Sequence, residues 1–197
     1  WLVQTWTRRA NLLDHTLAAR SSRGEVWIYD PTGAAQPDDE RVVGWDPVSS
    51  CPEWADARRM AHNLTSAQAA SGSRDAEFWL QMAAKLLAPL LLAAAGKIDG
   101  SMRDVVAWVD SGEQTAVADL LLDLGEPDAH AAFTATCRRE DRTLSSVYAT
   151  TEAVLAPFAD PAVLESAARH GIDTEALLEG QNTLYIVAPA KDQERLA

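Results

Sequence analysis

Two short apolar runs lie near the ends of the chain, and the pattern between them is helical. The first run covers residues 25–30 and ends in a turn, and the second covers residues 183–188 before Pro189. Short runs without alternation are typical of parallel strands covered by helices on both faces. The segment between them is far longer than one crossover helix needs. The pattern therefore predicts a mainly α chain, in which an all-helical domain is inserted into a partial α/β core built from a few parallel strands at the chain ends.

The domain boundaries follow from the loops that flank the helical part. Residues 31–44 contain Pro31, Gly33 and Pro37 together with a run of three acids, which is typical of an exposed loop. We therefore assign residues 1–44 to an N-terminal piece of the core, residues 45–180 to the helical domain, and residues 181–197 to a return strand and the start of a helix. Within the first piece, residues 2–6 predict a short strand and residues 9–22 a helix. With the strand at 26–29 they form a βαβ unit.

Apolar residues at helical spacing predict the elements of the central domain. One helix begins near Pro52, and a central helix carries a stripe of apolar residues three and four positions apart, with a kink expected at Pro89. The stripe consists of Phe78, Trp79, Met82, Ala83, Leu86, Leu87, Leu90 and Leu91. Further helices are predicted over residues 101–109, 113–124, 128–137, 143–158, 161–170 and 173–178.

The charge of the chain is concentrated in the predicted helical domain. The sequence has 29 acidic and 17 basic residues, a net charge of −12, and residues 45–180 carry 21 and 10 of these. A surface of this sign repels phosphate backbones and attracts basic partners. Between Asp104 and Cys137 there are seven acids and no Lys or Arg.

Six of these acids are the predicted partner-binding residues. Two of them are four positions apart, so that they share one face of a helix and repel each other weakly. An uncompensated acidic face steers and orients a basic protein or peptide, and the alternative interpretation is a solvated helix surface. The six are Asp110, Glu113, Asp119, Asp123, Glu126 and Asp128. By contrast, the mixed charges of residues 138–142 predict a salt-bridged surface.

Signals for catalysis are missing from the sequence. The four histidines and two cysteines show no zinc-type spacing, and there is no Gly-x-Ser-x-Gly elbow and no Gly-x-x-x-x-Gly-Lys-Ser/Thr loop. Asp30 follows the strand predicted at residues 26–29, and acids in this position often contact a ribose or magnesium ion. For the sequence Asp-Pro-Thr-Gly, an ordinary turn is the better interpretation. We therefore predict no catalytic, cofactor-binding or metal-binding residue and no enzymatic activity for this chain.

Other features place the chain in a cytoplasmic setting. Two cysteines do not form a disulfide framework, which favours a reducing compartment. No uninterrupted apolar run approaches the roughly 18 residues that cross a bilayer. Most of the seven tryptophans lie on apolar stripes without flanking bases, so core packing is favoured over base stacking.

Several segments together resemble the coupling proteins of conjugative type IV secretion, the TraG/TraD-like ATPases. The resemblance rests on the helix at residues 14–20 (DHTLAAR), the strand and turn at 24–33 (GEVWIYDPTG), 45–47 (WDP), 78–79 (FW) and 183–189 (TLYIVAP). It extends over nearly the whole chain, and the order and spacing of the segments carry it. Residues 4–9 depart from the pattern, where a small Ser/Thr-rich turn is expected.

The resemblance implies a fold and a function. The family is a membrane-anchored, hexameric motor with a RecA-like, P-loop-type nucleotide domain and an inserted all-α domain. It implies that residues 45–180 are this insert, which recruits relaxase–DNA complexes or effector proteins, or a basic secretion signal on them, to the secretion channel. It also implies that ATP and Mg²⁺ are bound by the parent protein outside this chain, that the parent is anchored in the inner membrane with this part in the cytoplasm, and that the fragment alone is monomeric. The alternative is a DNA-binding module of a DNA translocase, which the acidic charge disfavours.

Overall fold

The computed structural model describes residues 11–33, 40–68, 74–169, 171–172 and 174–187, and the chain forms two compact units. The first unit combines the two ends of the chain, Trp1–Trp45 and Asp160–Ala197, and the second is Asp46–Ala159. The sequence placed the second boundary at residue 180, so the two divisions differ over residues 160–180. The strand predicted at residues 2–6 and the helix predicted from residue 191 lie outside the described residues.

The first unit contains a parallel sheet. Its strands are β1 (Val26–Tyr29), β2 (Val42–Val43) and β3 (Thr183–Ile186), in the order β2-β1-β3. Both neighbours of β1 run parallel to it, with Ile28 opposite Val42 on one side and opposite Tyr185 on the other. The two strands predicted from the apolar runs are therefore direct neighbours, and the described residues confirm a mainly helical chain with a small parallel sheet.

One face of this sheet is covered by α1 (Asn11–Ser21). Leu13 of α1 packs with Val26, Ile28 and Tyr185 in a buried cluster. The Thr16 hydroxyl lies 2.6 Å from the phenol oxygen of Tyr185, which is 1 % exposed. A buried phenol needs such a partner, and this hydrogen bond joins α1 to β3.

The prediction of an exposed loop over residues 31–44 is wrong at its end. Val42 and Val43 form β2, and Val43 and Gly44 are buried. Gly44 makes a parallel bridge with Gly171 and accepts a hydrogen bond from Ile172 N at 3.2 Å. A two-residue strand has no periodicity of its own, and its pairing with β1 fixes it.

Two short helices complete the described part of the first unit. They are α8 (Pro161–Ala167) and α9 (Thr174–Leu178). Asp160 caps α8 by accepting a hydrogen bond from Ala162 N at 3.0 Å. The predicted end at His170 and the predicted cap Asp173 lie outside the described residues.

The described part of the second unit is helical. It contains two 3₁₀ turns, η1 (Pro47–Ser50) and η2 (Ala156–Ala159), and six α-helices. These are α2 (Trp54–Ser66), α3 (Arg74–Ala95), α4 (Met102–Ser111), α5 (Thr115–Asp123), α6 (Pro127–Cys137) and α7 (Asp141–Leu155). Each was expected from the sequence, with shifted ends.

Helix α3 is the centre of the second unit. It contacts each of the other five helices, and it continues through Pro89. The predicted stripe is buried from Met82 onwards, but Phe78 is 51 % exposed and stacks edge-on against Trp79, with ring centroids 5.2 Å apart. The apolar spacing therefore identified the buried face of α3 correctly, but it did not predict that burial begins at Met82 and leaves Phe78 exposed.

By length and composition, one helix among the described residues could cross a bilayer. It is the Asp75–Ala95 part of α3, with a mean hydropathy of 1.6 over its most apolar window. Of that window, 61 % is buried within the protein. The same hydrophobicity is therefore used for packing against the neighbouring helices.

Candidate functional site

The six predicted partner-binding acids lie on three consecutive helices and the loops that join them. Asp110 is on α4, Asp119 and Asp123 are on α5, and all three are exposed. Glu113 precedes α5, and Glu126 is at the N-cap of α6 with Asp128 in its first turn. The α4–α6 segment thus carries all six, and we call these residues the acidic segment.

Two acids in this region have structural roles. Glu113 accepts a hydrogen bond from Ala116 N at 2.9 Å and so satisfies a free N–H at the start of α5. Asp104, which is not one of the six, forms a capping box with Ser101 and pairs with Lys97. Asp110, Asp119 and Asp123 make no side-chain hydrogen bond or ion pair within the described part of the chain. Carboxylates without a partner are the ones that a basic ligand can engage without competition.

Two of the predicted acids line grooves on the second unit. Asp119 lines a groove of about 350 Å³ between α5 and α6, together with Arg138 and Phe133. Asp128 lines a larger groove of about 610 Å³ among α2, α3 and α6. The larger groove was not predicted, because its walls come from segments far apart in the sequence.

The expected salt-bridged surface at residues 138–142 is not formed. Two ion pairs join described residues of the second unit, Arg59 with Asp56 at 3.0 Å and Lys97 with Asp104. Neither includes the charged residues of 138–142, which are exposed. Arg138 is at the C-cap of α6 and Asp141 begins α7, so these charges belong to the ends of two different helices despite their proximity in sequence.

Among the described residues, burial raises the pKa of two cysteines and two tyrosines. Burial raises the pKa of Cys51 to about 12, and its thiol donates to Pro47 O at 3.2 Å. Burial also raises the pKa of Cys137, and it raises those of Tyr29 and Tyr148 to about 12. A reactive thiol has a lowered pKa, so the raised pKa values of these two cysteines do not favour reactivity. No group of three or more His, Cys, Asp or Glu side chains that could hold a metal is found among the described residues.

Asp30, the acid that follows β1, lies buried in a tight turn. Asp30 is 2 % exposed and accepts a hydrogen bond from the Thr32 hydroxyl at 3.3 Å. Gly33 N lies 3.4 Å from Asp30 O, and Gly33 has a φ of 66°, as in a tight turn. A carboxylate enclosed in this way, without a glycine-rich loop in the sequence, does not fit the binding of nucleotide phosphates or Mg²⁺ by these residues alone.

The fold is similar to that of solved plasmid coupling proteins. TrwB in complex with the non-hydrolysable GTP analogue GDPNP matches with a TM-score of 0.56 at 18 % identity, over 99 % of this chain and 48 % of TrwB. TrwB in complex with ADP and Mg²⁺ matches with a TM-score of 0.54 at 17 % identity, over 99 % of this chain and 48 % of TrwB. The unbound monoclinic form of TrwBΔN70 matches with a TM-score of 0.54 at 17 % identity, over 99 % of this chain and 47 % of TrwBΔN70. The chain therefore spans about half the length of these proteins.

The sequence defines the family directly. The family model for conjugative DNA transfer of the type IV secretory system matches residues 10–197. The chain belongs to this family, as the resemblance in its sequence predicted. None of the curated proteins matches it.

Proposed function

We infer that this chain is part of a coupling ATPase of conjugative type IV secretion, and that its helical unit recognises the transported substrate. In this proposal the unit recruits relaxase–DNA complexes or effector proteins to the secretion channel. The observation that carries the proposal is the acidic segment, which lies in a stretch without Lys or Arg. Its exposed carboxylates of Asp110, Asp119 and Asp123 have no partner among the described residues. Family membership over residues 10–197 supplies the context of conjugative transfer.

The proposed architecture is an all-α domain inserted into a partial RecA-like core. The pairing of β1 with β3 supports it, because the whole helical unit lies between these two strands along the chain. Parallel neighbours joined by a long excursion are expected where a domain has been inserted into a crossover connection.

The parent protein would hydrolyse ATP with Mg²⁺, and this chain alone would not. The absence of a phosphate-binding loop from the sequence and the enclosed position of Asp30 support a non-catalytic role for the fragment. The nucleotide complexes of TrwB are consistent with an NTPase parent. In this proposal the parent is hexameric and anchored in the inner membrane, this part faces the cytoplasm, and the fragment is monomeric.

A binding measurement tests the role of the acidic segment. We expect a short Lys-rich peptide to bind the chain in fluorescence anisotropy, and the affinity to fall with added salt, since screening shortens the range of the attraction. The double variant Asp119→Asn/Asp123→Asn should weaken binding about threefold to tenfold. The matched variant Glu53→Gln/Glu152→Gln removes two exposed acids elsewhere on the unit and should have a smaller effect. Equal losses in both variants would show that only the net charge matters and would contradict the proposal.

The alternative is a DNA-binding module, which the conjugative DNA transfer family favours. The helical unit carries 16 acidic and 9 basic residues, so phosphate backbones should be repelled. We expect no shift of single- or double-stranded DNA in a gel at physiological salt. A clear shift would support the alternative instead.

A further inference from the structure

The groove of about 610 Å³ on the helical unit has an apolar floor. It lies where α2 and α6 flank α3, and its floor includes Ala84 and Ala88 of α3 and Ala132 of α6. Trp54, which is half-buried at the start of α2, supplies an aromatic wall. Because the floor side chains are small, the groove leaves room for apolar side chains of a guest.

The groove is lined mainly by cations, although the unit that contains it has a net negative charge. Three cations line it, Arg58, Lys85 and Arg139, against the single carboxylate of Asp128. All three cations are exposed, and none forms an ion pair with another described residue. The net charge of the unit is −7, so this cationic lining is a local reversal of sign.

We propose that this groove binds an acidic peptide segment of a partner protein. Apolar side chains of the peptide enter over the alanines beside Trp54, and its carboxylates meet Arg58, Lys85 and Arg139. Arginine suits this role because its guanidinium holds a carboxylate through two parallel hydrogen bonds. The inference rests on the cations of the groove, which shares only Asp128 with the acidic segment and has the opposite charge preference.

A peptide is favoured over a nucleic acid by the surroundings of the groove. A long polyanion such as a nucleic acid would extend beyond the three cations. The rest of the unit, which has a net charge of −7, would repel it. A short acidic peptide keeps its charges within the groove, and the apolar floor stabilises side chains that a phosphate backbone lacks.

The test uses the full chain and a fluorescent synthetic peptide with glutamates and leucines at helical spacing. We expect binding at low salt, and a loss of about tenfold or more in the double variant Arg58→Glu/Lys85→Glu. The matched variant Arg103→Glu/Arg142→Glu makes the same change in net charge on exposed residues outside the groove and should lose less than about threefold. Circular dichroism of each variant establishes that the helical unit is folded.

A second variant keeps the charge constant. Ala132→Phe fills the groove and should reduce binding of the Glu-rich peptide about tenfold. If the charge-reversed variant does not fold, this variant and Arg139→Gln still decide the question. Binding of the Lys-rich peptide should not change in Ala132→Phe, so the two surfaces are tested separately.

Three results would overturn the proposal. The first is no binding of the Glu-rich peptide at low salt, and the second is an equal loss in the matched control. The third is tighter binding of an oligothymidylate that is lost in the same groove variants, which would assign the groove to nucleic acid.

Discussion

The side-chain carboxylate of Asp46 accepts a hydrogen bond from the backbone N–H of Met102, 56 positions further along the chain, at 3.3 Å. Its other oxygen accepts from Val48 N at 2.8 Å. One carboxylate therefore satisfies free N–H groups of both η1 and α4, the second of which begins at Met102. This gives the Trp-Asp-Pro segment a structural role at the start of the helical unit.

Removing this carboxylate should destabilise the helical unit. Asp46→Ala leaves two N–H groups without their acceptor, and we expect a loss of about 1–3 kcal/mol in the free energy of unfolding. Urea denaturation followed by circular dichroism measures it. Glu152→Ala, on the exposed face of α7, is the control and should change stability by less than about 0.5 kcal/mol. A loss no greater than that of the control would show that the two bonds contribute nothing.

The same residue predicts a pH dependence. Burial raises the pKa of Asp46 above its ordinary value, an effect that the Val48 and Met102 N–H groups oppose and Asp104 reinforces. The folded state therefore binds this proton more tightly than the unfolded state. The resulting stability is present below the unfolded pKa and is lost as the pH rises through the raised folded pKa.

Asp46→Asn has no such proton to lose. We expect the stability of Asp46→Asn relative to the native chain to rise with pH across the acidic range, measured by urea denaturation at several pH values. A constant difference across this range would contradict the raised pKa.

Gly44 and its bridge partner Gly171 form a matched pair for substitution. A Cβ at Gly44 would collide with the carbonyl oxygen of Ser166, whereas a Cβ at Gly171 would meet nothing within 4 Å. We expect Gly44→Ala to cost about 2–4 kcal/mol of unfolding free energy, because backbone must move, and Gly171→Ala to cost less than about 1 kcal/mol. Thermal unfolding of the two variants is the measurement, and similar midpoints would be inconsistent with the close approach.

Substitutions of Thr16 and Tyr185 should be energetically coupled, because a hydrogen bond joins the two side chains. Thr16→Val leaves a buried phenol without this partner and should cost about 1–2 kcal/mol. The same change made in a Tyr185→Phe background should cost less, since the phenol is already gone. A double-mutant cycle with a coupling of about 1 kcal/mol is the expected result. Additive losses would show that the two hydroxyls do not interact.

The thiol of Cys51 should react only slowly with alkylating reagents. In Cys137→Ser the remaining thiol is Cys51, which is fully buried and has a pKa of about 12. At pH 8 we expect its labelling to follow unfolding of the protein, because both burial and the small thiolate fraction suppress attack. Mass spectrometry of native and urea-unfolded samples measures the rates. Rapid native labelling at Cys51 would contradict its enclosed position.

The long helices were predictable because one buried face repeats along many residues. In α3 the apolar spacing correctly marked Met82, Leu86 and Leu90 as core residues. It could not show that Phe78 remains exposed, because the neighbouring helices decide where burial begins.

Features made by distant segments were not predictable from the sequence. The strand β2 has two residues and depends on β1 for its partner, so the sequence pattern gave no sign of it. The large groove combines α2, α3 and α6, and Arg58, Lys85 and Arg139 are unremarkable as single surface cations. The acidic segment, in contrast, is contiguous, and composition alone located it.

The pairing of β1 with β3 has a consequence for the order of folding. Residues 30–182 lie between the two strands, so their contact closes a very long loop. The helices of the central unit are stabilised by much more local contacts and form sooner. Once compact, that unit shortens the path between the strands and lowers the entropy lost on closure. During synthesis, β1 therefore cannot pair with β3 until residues 183–186 have left the ribosome.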